Sequence, residues 1–225
     1  MLDNIEGVIF DLDGTIIDSM WIWNDLDDEF LKRRNIKIPK DLMKGIEGLS
    51  FTETAHYFKN YFKLEESIED IKKEWIEIAE QYYKNKVELK TGIKELLDII
   101  QSKNIKIGIA TSCARELAET VLNKNKIHDY FDVIVTSCEV NKGKPSPDVY
   151  LEAAKKLKIN NTEHILAFED TIPGTKAAKK AGMNVVVIYD EYSKNEKDKL
   201  KQIGDYYIHS FEEINNKYIS NYNKS

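Results

Sequence analysis

Val8-Ile9-Phe10-Asp11-Leu12-Asp13-Gly14-Thr15, led in by Ile5 and Gly7, is the stretch that decides the architecture. Three apolar residues stand in succession with no polar alternation and then break into a cluster of acids, glycine and threonine. An unalternating apolar run of this length predicts a strand buried on both faces, as in a parallel sheet, that delivers Asp11 and Asp13 at its carboxyl end.

From Thr91 onward the pattern alternates between helix and strand. Leu96, Leu97, Ile99 and Ile100 predict a helix, Ile105 to Ala110 a strand ending at Thr111-Ser112, and Leu117 to Leu122 another helix. Asp132 to Thr136, Ile165 to Phe168, Val185 to Ile188 and Tyr206 to Ile208 predict further strands. Ser146-Pro147 has the form of an N-cap followed by proline at the first helical position. Pro173 to Ala181 predicts a helix stopped by Gly182, a residue suited to the left-handed position after a helix end. Repeated strand-helix-strand units imply an α/β fold, a doubly wound parallel sheet of Rossmann-like form. The tail after about Asn215 is polar enough that fraying is expected.

Residues 16–88 have a different character and predict a helical insertion into a core made of residues 1–15 and 89–225. Ile22, Leu26 and Phe30 share one helix face, and Ile68, Ile71, Trp75, Ile78, Ala79 and Tyr82 repeat at the three-to-four spacing of a long amphipathic helix. Ser50-Phe51-Thr52-Glu53 is a capping box, in which serine and glutamate satisfy free backbone donors at a helix start, and it opens the second helix expected here. Trp21, Trp23, Trp75 and the many tyrosines are expected to form the insertion's core, with one or two as candidates for lining a substrate crevice.

The composition bounds the function. The chain has 225 residues, 42% of them hydrophobic, and 33 Lys and Arg against 39 Asp and Glu give a formal charge of −6. This excludes a disordered or fibrous chain and argues against broad binding to nucleic acid or anionic membrane. No stretch approaches the roughly 18 uninterrupted apolar residues of a membrane span. Cys113 and Cys138 are too few for a disulfide framework, and the N-terminus has no basic segment followed by a long apolar one, so a cytoplasmic protein is expected. His56, His128, His164 and His209 are scattered and expected to be structural or exposed.

In an open parallel sheet the loops at the strands' carboxyl ends converge on one crevice. Four such ends here supply Asp11 with Asp13, Thr111 with Ser112, Lys144 within Gly143-Lys144-Pro145, and Glu169 with Asp170. So many carboxylates repel one another unless a divalent cation sits among them, and an all-oxygen donor set favours Mg²⁺. The lysine, hydroxyls and loop N–H groups that remain are donors suited to a phosphoryl group. A carboxylate among them can attack phosphorus; Asp11 is the better nucleophile candidate, and Asp13, two residues on, can serve as acid and then as base.

Together, Asp11-Leu12-Asp13-Gly14-Thr15, the Thr111 that follows a strand, Gly143-Lys144-Pro145-Ser146-Pro147-Asp148, and Phe168-Glu169-Asp170-Thr171 with Gly174 and Ala177-Ala178 resemble the four ordered motifs of the haloacid dehalogenase superfamily. The insertion resembles the helical cap of its subfamily IA, which contains phosphoglycolate-phosphatase-like and β-phosphoglucomutase-like enzymes. The resemblance implies Asp11 as nucleophile, Asp13 as general acid/base, and Thr111, Ser112 and Lys144 as phosphate-binding. It implies Mg²⁺ on Asp11, the backbone carbonyl of Asp13, and Asp170, with Glu169 assisting as orienter or ligand. The implied substrate is a small phosphorylated metabolite.

Members that break carbon–halogen bonds lack an acid at the place of Asp13, so the resemblance points to phosphate chemistry. Mutase members resemble one another in a histidine about ten residues after the second aspartate, where this chain has Trp23. The loop Gly45-Ile46-Glu47-Gly48-Leu49-Ser50 resembles the cap's substrate loop but offers Glu47 and neither Arg nor Lys. Both departures favour hydrolysis over sugar-phosphate isomerisation, which stands as the alternative. A phospho-aspartate signalling module of receiver type is a remoter alternative, because receivers place the phosphoacceptor on a later strand and Asp11 is on the first.

Overall fold

The computed structural model describes Leu2 and residues 4–39, 42–46 and 49–222. The elements run β1 (Gly7–Phe10), β2 (Ile17–Asp18), α1 (Met20–Lys32), α2 (Leu42–Ile46), α3 (Phe51–Phe62), α4 (Ile68–Asn85), β3 (Glu88–Leu89), α5 (Ile93–Ser102) and β4 (Lys106–Thr111). They continue α6 (Arg115–Lys124), β5 (Val133–Thr136), α7 (Asp148–Lys156), β6 (Ile165–Glu169), α8 (Ile172–Lys180), β7 (Asn184–Ile188), α9 (Lys197–Ile203), β8 (Tyr206–Ile208) and α10 (Glu212–Tyr222).

Six strands form one sheet in the order β5-β4-β1-β6-β7-β8, and every neighbouring pair is parallel. β1 is therefore central, with Phe10 level with Ile109 on one side and Phe168 on the other. Because side chains alternate across a strand, the four residues of β1 divide between two cores. Val8 and Phe10 join Ile107, Ile109, Leu166 and Phe168 beneath α5, α6 and α10, whereas Ile9 joins Ala110, Val135 and Ala167 beneath α7, α8 and α9. The rings of Phe10 and Phe168 stack at 4.8 Å between centroids. Truncating either to alanine in so closed a core costs about 3–5 kcal/mol.

The helices α1 to α4 occur between β2 and β3, which pair antiparallel through Ile17 with Leu89 and Asp18 with Glu88. Two-residue strands carry no readable periodicity, and neither was expected. The core of this segment is aromatic: Trp75 contacts Phe30, Phe51 and Phe58 edge-on, at 4.9–5.5 Å between centroids. The capping box at Ser50 is present, with Ser50 Oγ accepting from the Glu53 N–H at 3.1 Å and Glu53 Oε2 accepting from the Ser50 N–H at 2.8 Å.

Three local expectations are corrected. The capped helix is the third of the segment, because the five-residue α2 covers Gly45 and Ile46, where a loop was expected; Glu47 lies outside the described residues. α7 begins one residue later than Ser146-Pro147 implied, because Pro147 is itself the cap and the Ser146 hydroxyl donates to Asp148 Oδ1 at 2.7 Å. The polar tail continues as α10 as far as Tyr222, held by the buried Phe211 and Ile214 and by Asn215, whose amide donates to the Gly92 carbonyl at 2.8 Å.

Candidate active site

Asp11 and Asp13 follow β1, Thr111 ends β4, and Glu169 ends β6 with Asp170 behind it, so three adjacent strands open onto one place. Lys144 reaches the same place from the loop after β5. Its Nζ is buried and donates to Asp11 Oδ1 at 2.5 Å and to Glu169 Oε1 at 2.6 Å. Burial alone would lower the lysine's pKa, but Asp11 and Glu169 outweigh it and drive the pKa up, so Lys144 is held charged.

Glu169 is saturated with donors. Oε1 accepts from Lys144 and from the Tyr150 hydroxyl at 2.8 Å, while Oε2 accepts from the N–H groups of Asp170 and Thr171 at 3.1 and 3.3 Å and from the Thr171 hydroxyl at 3.1 Å. It therefore acts as the anchor of Lys144.

Asp170 is the opposite case. Oδ1 accepts from the Thr15 hydroxyl at 3.0 Å, but Oδ2 is buried without a hydrogen-bond partner. An orphaned carboxylate oxygen costs several kcal/mol if ionised. Burial, with Glu169, Asp11 and Asp190 nearby, pushes the Asp170 carboxyl well above the carboxylate range. Asp11 is pushed up to about 7, mainly by burial and further by Glu169 and Asp13, against the pull of Lys144. Asp11, Glu169 and Asp170 each offer an oxygen within 4.8 Å of the others. Crowded acids, a hard all-oxygen donor set and one unpartnered oxygen fit a divalent cation. Gly14 leaves that oxygen room: at φ +79° it takes the left-handed conformation, and a Cβ there would lie 2.2 Å from Asp170 Oδ2.

Asp13 stands slightly apart. Its Oδ1 accepts from the Ser19 hydroxyl at 2.6 Å and from the Tyr83 hydroxyl, and burial raises its pKa. Thr111 and Ser112 flank the cluster with contacts of their own. Thr111 Oγ1 accepts from the Cys113 N–H at 3.0 Å, and Ser112 Oγ lies 3.4 Å from Ser137 Oγ.

The direct hydrogen bonds thus join Lys144, Asp11 and Glu169, with Asp170 beside them, and leave Asp13, Thr111 and Ser112 at the rim. Sequence reasoning missed Thr15, Ser19, Tyr83 and Tyr150, each of which holds an acid of the cluster. Thr15 stands two residues after Asp13, where a hydroxyl beside strand-end acids is a readable signal; the two tyrosines are indistinguishable from core aromatics until folded.

Comparison with known proteins agrees with the fold and with the family that the motifs resemble. The model of the haloacid dehalogenase-like hydrolases matches residues 8–188. A phosphorylated carbohydrates phosphatase of Thermotoga maritima is 30% identical over 80% of this chain and 82% of its own length. A β-phosphoglucomutase of Bacillus subtilis is 30% identical over 81% of this chain and 82% of its own. The crystal structure of CbbY from Rhodobacter sphaeroides in complex with phosphate superposes with a TM-score of 0.82 over 92% of this chain and 95% of that one, at 24% identity, a likeness of fold. With its sheet, its ordered strand-end motifs and its matched span all in agreement, the chain belongs to the haloacid dehalogenase-like hydrolase family and is an enzyme of that family's phosphatase branch.

Proposed function

We propose that the protein is a Mg²⁺-dependent phosphatase acting on a small phosphorylated metabolite, of the class of phosphorylated carbohydrates, through an aspartyl phosphate on Asp11. The observation that carries this reading is the buried Lys144 bridging Asp11 and Glu169 while Asp170 keeps an unpartnered oxygen in the same cluster. A carboxylate, a fixed ammonium and a set of oxygens able to hold a cation are the parts that phosphoryl transfer needs.

In this reading an Asp11 oxygen attacks phosphorus, the bond from phosphorus to the ester oxygen breaks, and the departing oxygen takes a proton from the Asp13 carboxyl. Water then attacks the phosphorus and gives its proton to Asp13, the bond to Asp11 breaks, and inorganic phosphate leaves. Lys144, held charged by Glu169, balances the phosphoryl oxygens, and Thr111 and Ser112 donate to them. Asp11, Asp170 and the backbone carbonyl of Asp13 would hold Mg²⁺, which supplies charge neutralisation for the crowded acids and the incoming phosphate. Residues 16–88 serve as a cap on a core of residues 1–15 and 89–225, a division supported by the β2–β3 pair at the base of the helical segment. Cytoplasmic placement is part of the same reading, supported by Cys113 and Cys138, neither of which is bridged.

The test is a panel of phosphate esters assayed with Mg²⁺, with EDTA, and with Asp11→Asn. Inorganic phosphate should be released by the native protein alone, with a loss of about 100-fold or more in each of the other two conditions. Undiminished turnover in Asp11→Asn defeats the reading. A sugar 1-phosphate converted to its 6-phosphate without phosphate release would replace hydrolysis with the mutase alternative.

A further inference from the structure

Tyr83 is fully buried in the last turn of α4, yet its hydroxyl leaves the helix to donate to Asp13 Oδ1, on the loop after the central strand. Ser19 Oγ donates to the same oxygen at 2.6 Å. We propose that Tyr83 is a positioning residue for the proton-transfer step: it fixes the Asp13 carboxyl so that Oδ2 is the oxygen that carries the transferable proton. The inference rests on the role proposed for Asp13 and concerns a residue outside the four strand-end motifs.

The chemistry follows from lone pairs. An sp² carboxyl oxygen has two, and Oδ1 spends both on Ser19 and Tyr83. The Cys113 thiol also lies against this carboxyl but is a weak donor, so Oδ2 is the oxygen left to bear the proton. The torsion that turns an aspartate carboxyl is broad and nearly two-fold, so the side chain's own preferences do not select which oxygen faces the site. Two donors converging on Oδ1 from different elements, Ser19 ahead of α1 and Tyr83 near the end of α4, make that selection. The Tyr83 ring is itself fixed by an edge-on contact with Trp23 at 6.3 Å between centroids, and the Cys113 thiol donates to its hydroxyl at 3.8 Å. The tyrosine thus reaches Asp13 from a held frame. Because α4 belongs to the helical segment and Asp13 follows the central strand of the sheet, the hydrogen bond also makes the acid's orientation depend on where that segment sits.

The test is Tyr83→Phe, which removes the hydroxyl and keeps the ring. It is assayed on two phosphate monoesters, an alkyl ester whose leaving oxygen needs a proton and 4-nitrophenyl phosphate, whose leaving oxygen does not. The ratio kcat/KM reports only steps through the first irreversible one, so the later hydrolysis of the aspartyl phosphate does not enter the comparison. The expected result is a fall in kcat/KM about tenfold larger for the alkyl ester than for the aryl one. Equal losses on both esters, or no loss, would overturn the proposal, since packing damage does not discriminate by leaving group. Ser19→Ala, which removes the other donor to Oδ1 without touching α4, should show the same bias, and its absence there overturns the proposal even if Tyr83→Phe fails to fold. Failure of the phosphatase reading is separate and shows in the native protein, which would then hydrolyse neither ester.

Discussion

Gly174 has no room for a side chain because the carboxylate of Glu169 occupies the space: a Cβ at Gly174 would fall 1.8 Å from Oε1 and 2.0 Å from Cδ. The glutamate cannot give way cheaply, since it is buried and both its oxygens are committed to Lys144, Tyr150, Asp170 and Thr171. This first-turn glycine of α8 therefore sets where Lys144 stands, through Glu169.

Gly174→Ala should for this reason be destabilising. In an open helix the change would gain about 1 kcal/mol. Here it forces apart a buried charge pair, a disturbance of about 3–5 kcal/mol when one partner is lost. We expect a net loss of about 2–4 kcal/mol in denaturant melts and a drop in kcat of about tenfold or more, because Lys144 loses its anchor. A variant as stable and active as the native protein would show that Glu169 moves freely and is not the anchor described.

Divalent cation should stabilise the fold itself, apart from any turnover. Asp11 raised to about 7 and Asp170 raised well above the carboxylate range are signs of acids crowded without compensation. At a Mg²⁺ concentration about 100 times the dissociation constant, binding to the native state adds about 2.7 kcal/mol. For a chain of this length that is a rise in Tm of about 5–10 °C. Asp170→Asn should remove most of the rise, and Gly14→Ala should weaken it, because its new Cβ would press on Asp170 Oδ2. A native Tm indifferent to Mg²⁺, or a full shift in Asp170→Asn, counts against the cation site.

What could be read ahead of folding was whatever is local in the chain. Val8-Ile9-Phe10 announced a buried strand and Asp11 its polar end because strand burial and strand end are both written in a few consecutive residues. The identity of the cluster was equally open, since parallel topology brings strand ends together without further information. The anchoring was not: Lys144 meets Asp11 across 133 residues of chain and Glu169 across 25, and no spacing rule encodes which of several acids a lysine will choose. Tyr83 and Tyr150 were hidden for another reason, since a tyrosine's ring obeys the apolar pattern while its hydroxyl does the polar work. The short α2 has too few residues to show a period, and α10 rests on a few residues, Phe211, Ile214 and Asn215, that a polar stretch does not advertise.

Asp27 is the one acid of α1 that folding buries, lying beside Leu26 with Oδ2 unpartnered. Burial pushes its carboxyl from 3.8 up to about 7. A folded-state pKa above the unfolded one means that the native state keeps a proton the unfolded chain has lost, so stability falls as pH rises from about 4 to 7. Asp27→Asn removes the charge at nearly constant shape. It should match the native protein at pH 4 and exceed it by about 2–4 kcal/mol above pH 7, as followed by urea unfolding across that range. A stability difference independent of pH would show that Asp27 ionises freely in the fold.

Glu139 carries the opposite sign. Burial pushes its carboxyl up, but the Arg115 guanidinium, Lys156 and the Thr136 N–H together hold it at about 2, against an ordinary 4.5. The glutamate thereby ties the turn after β5 to α6 and α7. With the folded pKa depressed, its contribution is complete above about pH 4.5 and disappears as pH falls toward 2. Its partners are more than a third exposed, at 39% for Arg115 and 37% for Lys156, so solvent screening cuts the contribution to about 1–2 kcal/mol. Glu139→Gln should be less stable than the native protein by that amount at pH 7 and in low salt, and the two should converge near pH 2. The gap should narrow in high salt, because pairs this open to solvent are screened. A deficit that persists unchanged to pH 2 would assign the effect to packing of the side chain and not to its charge.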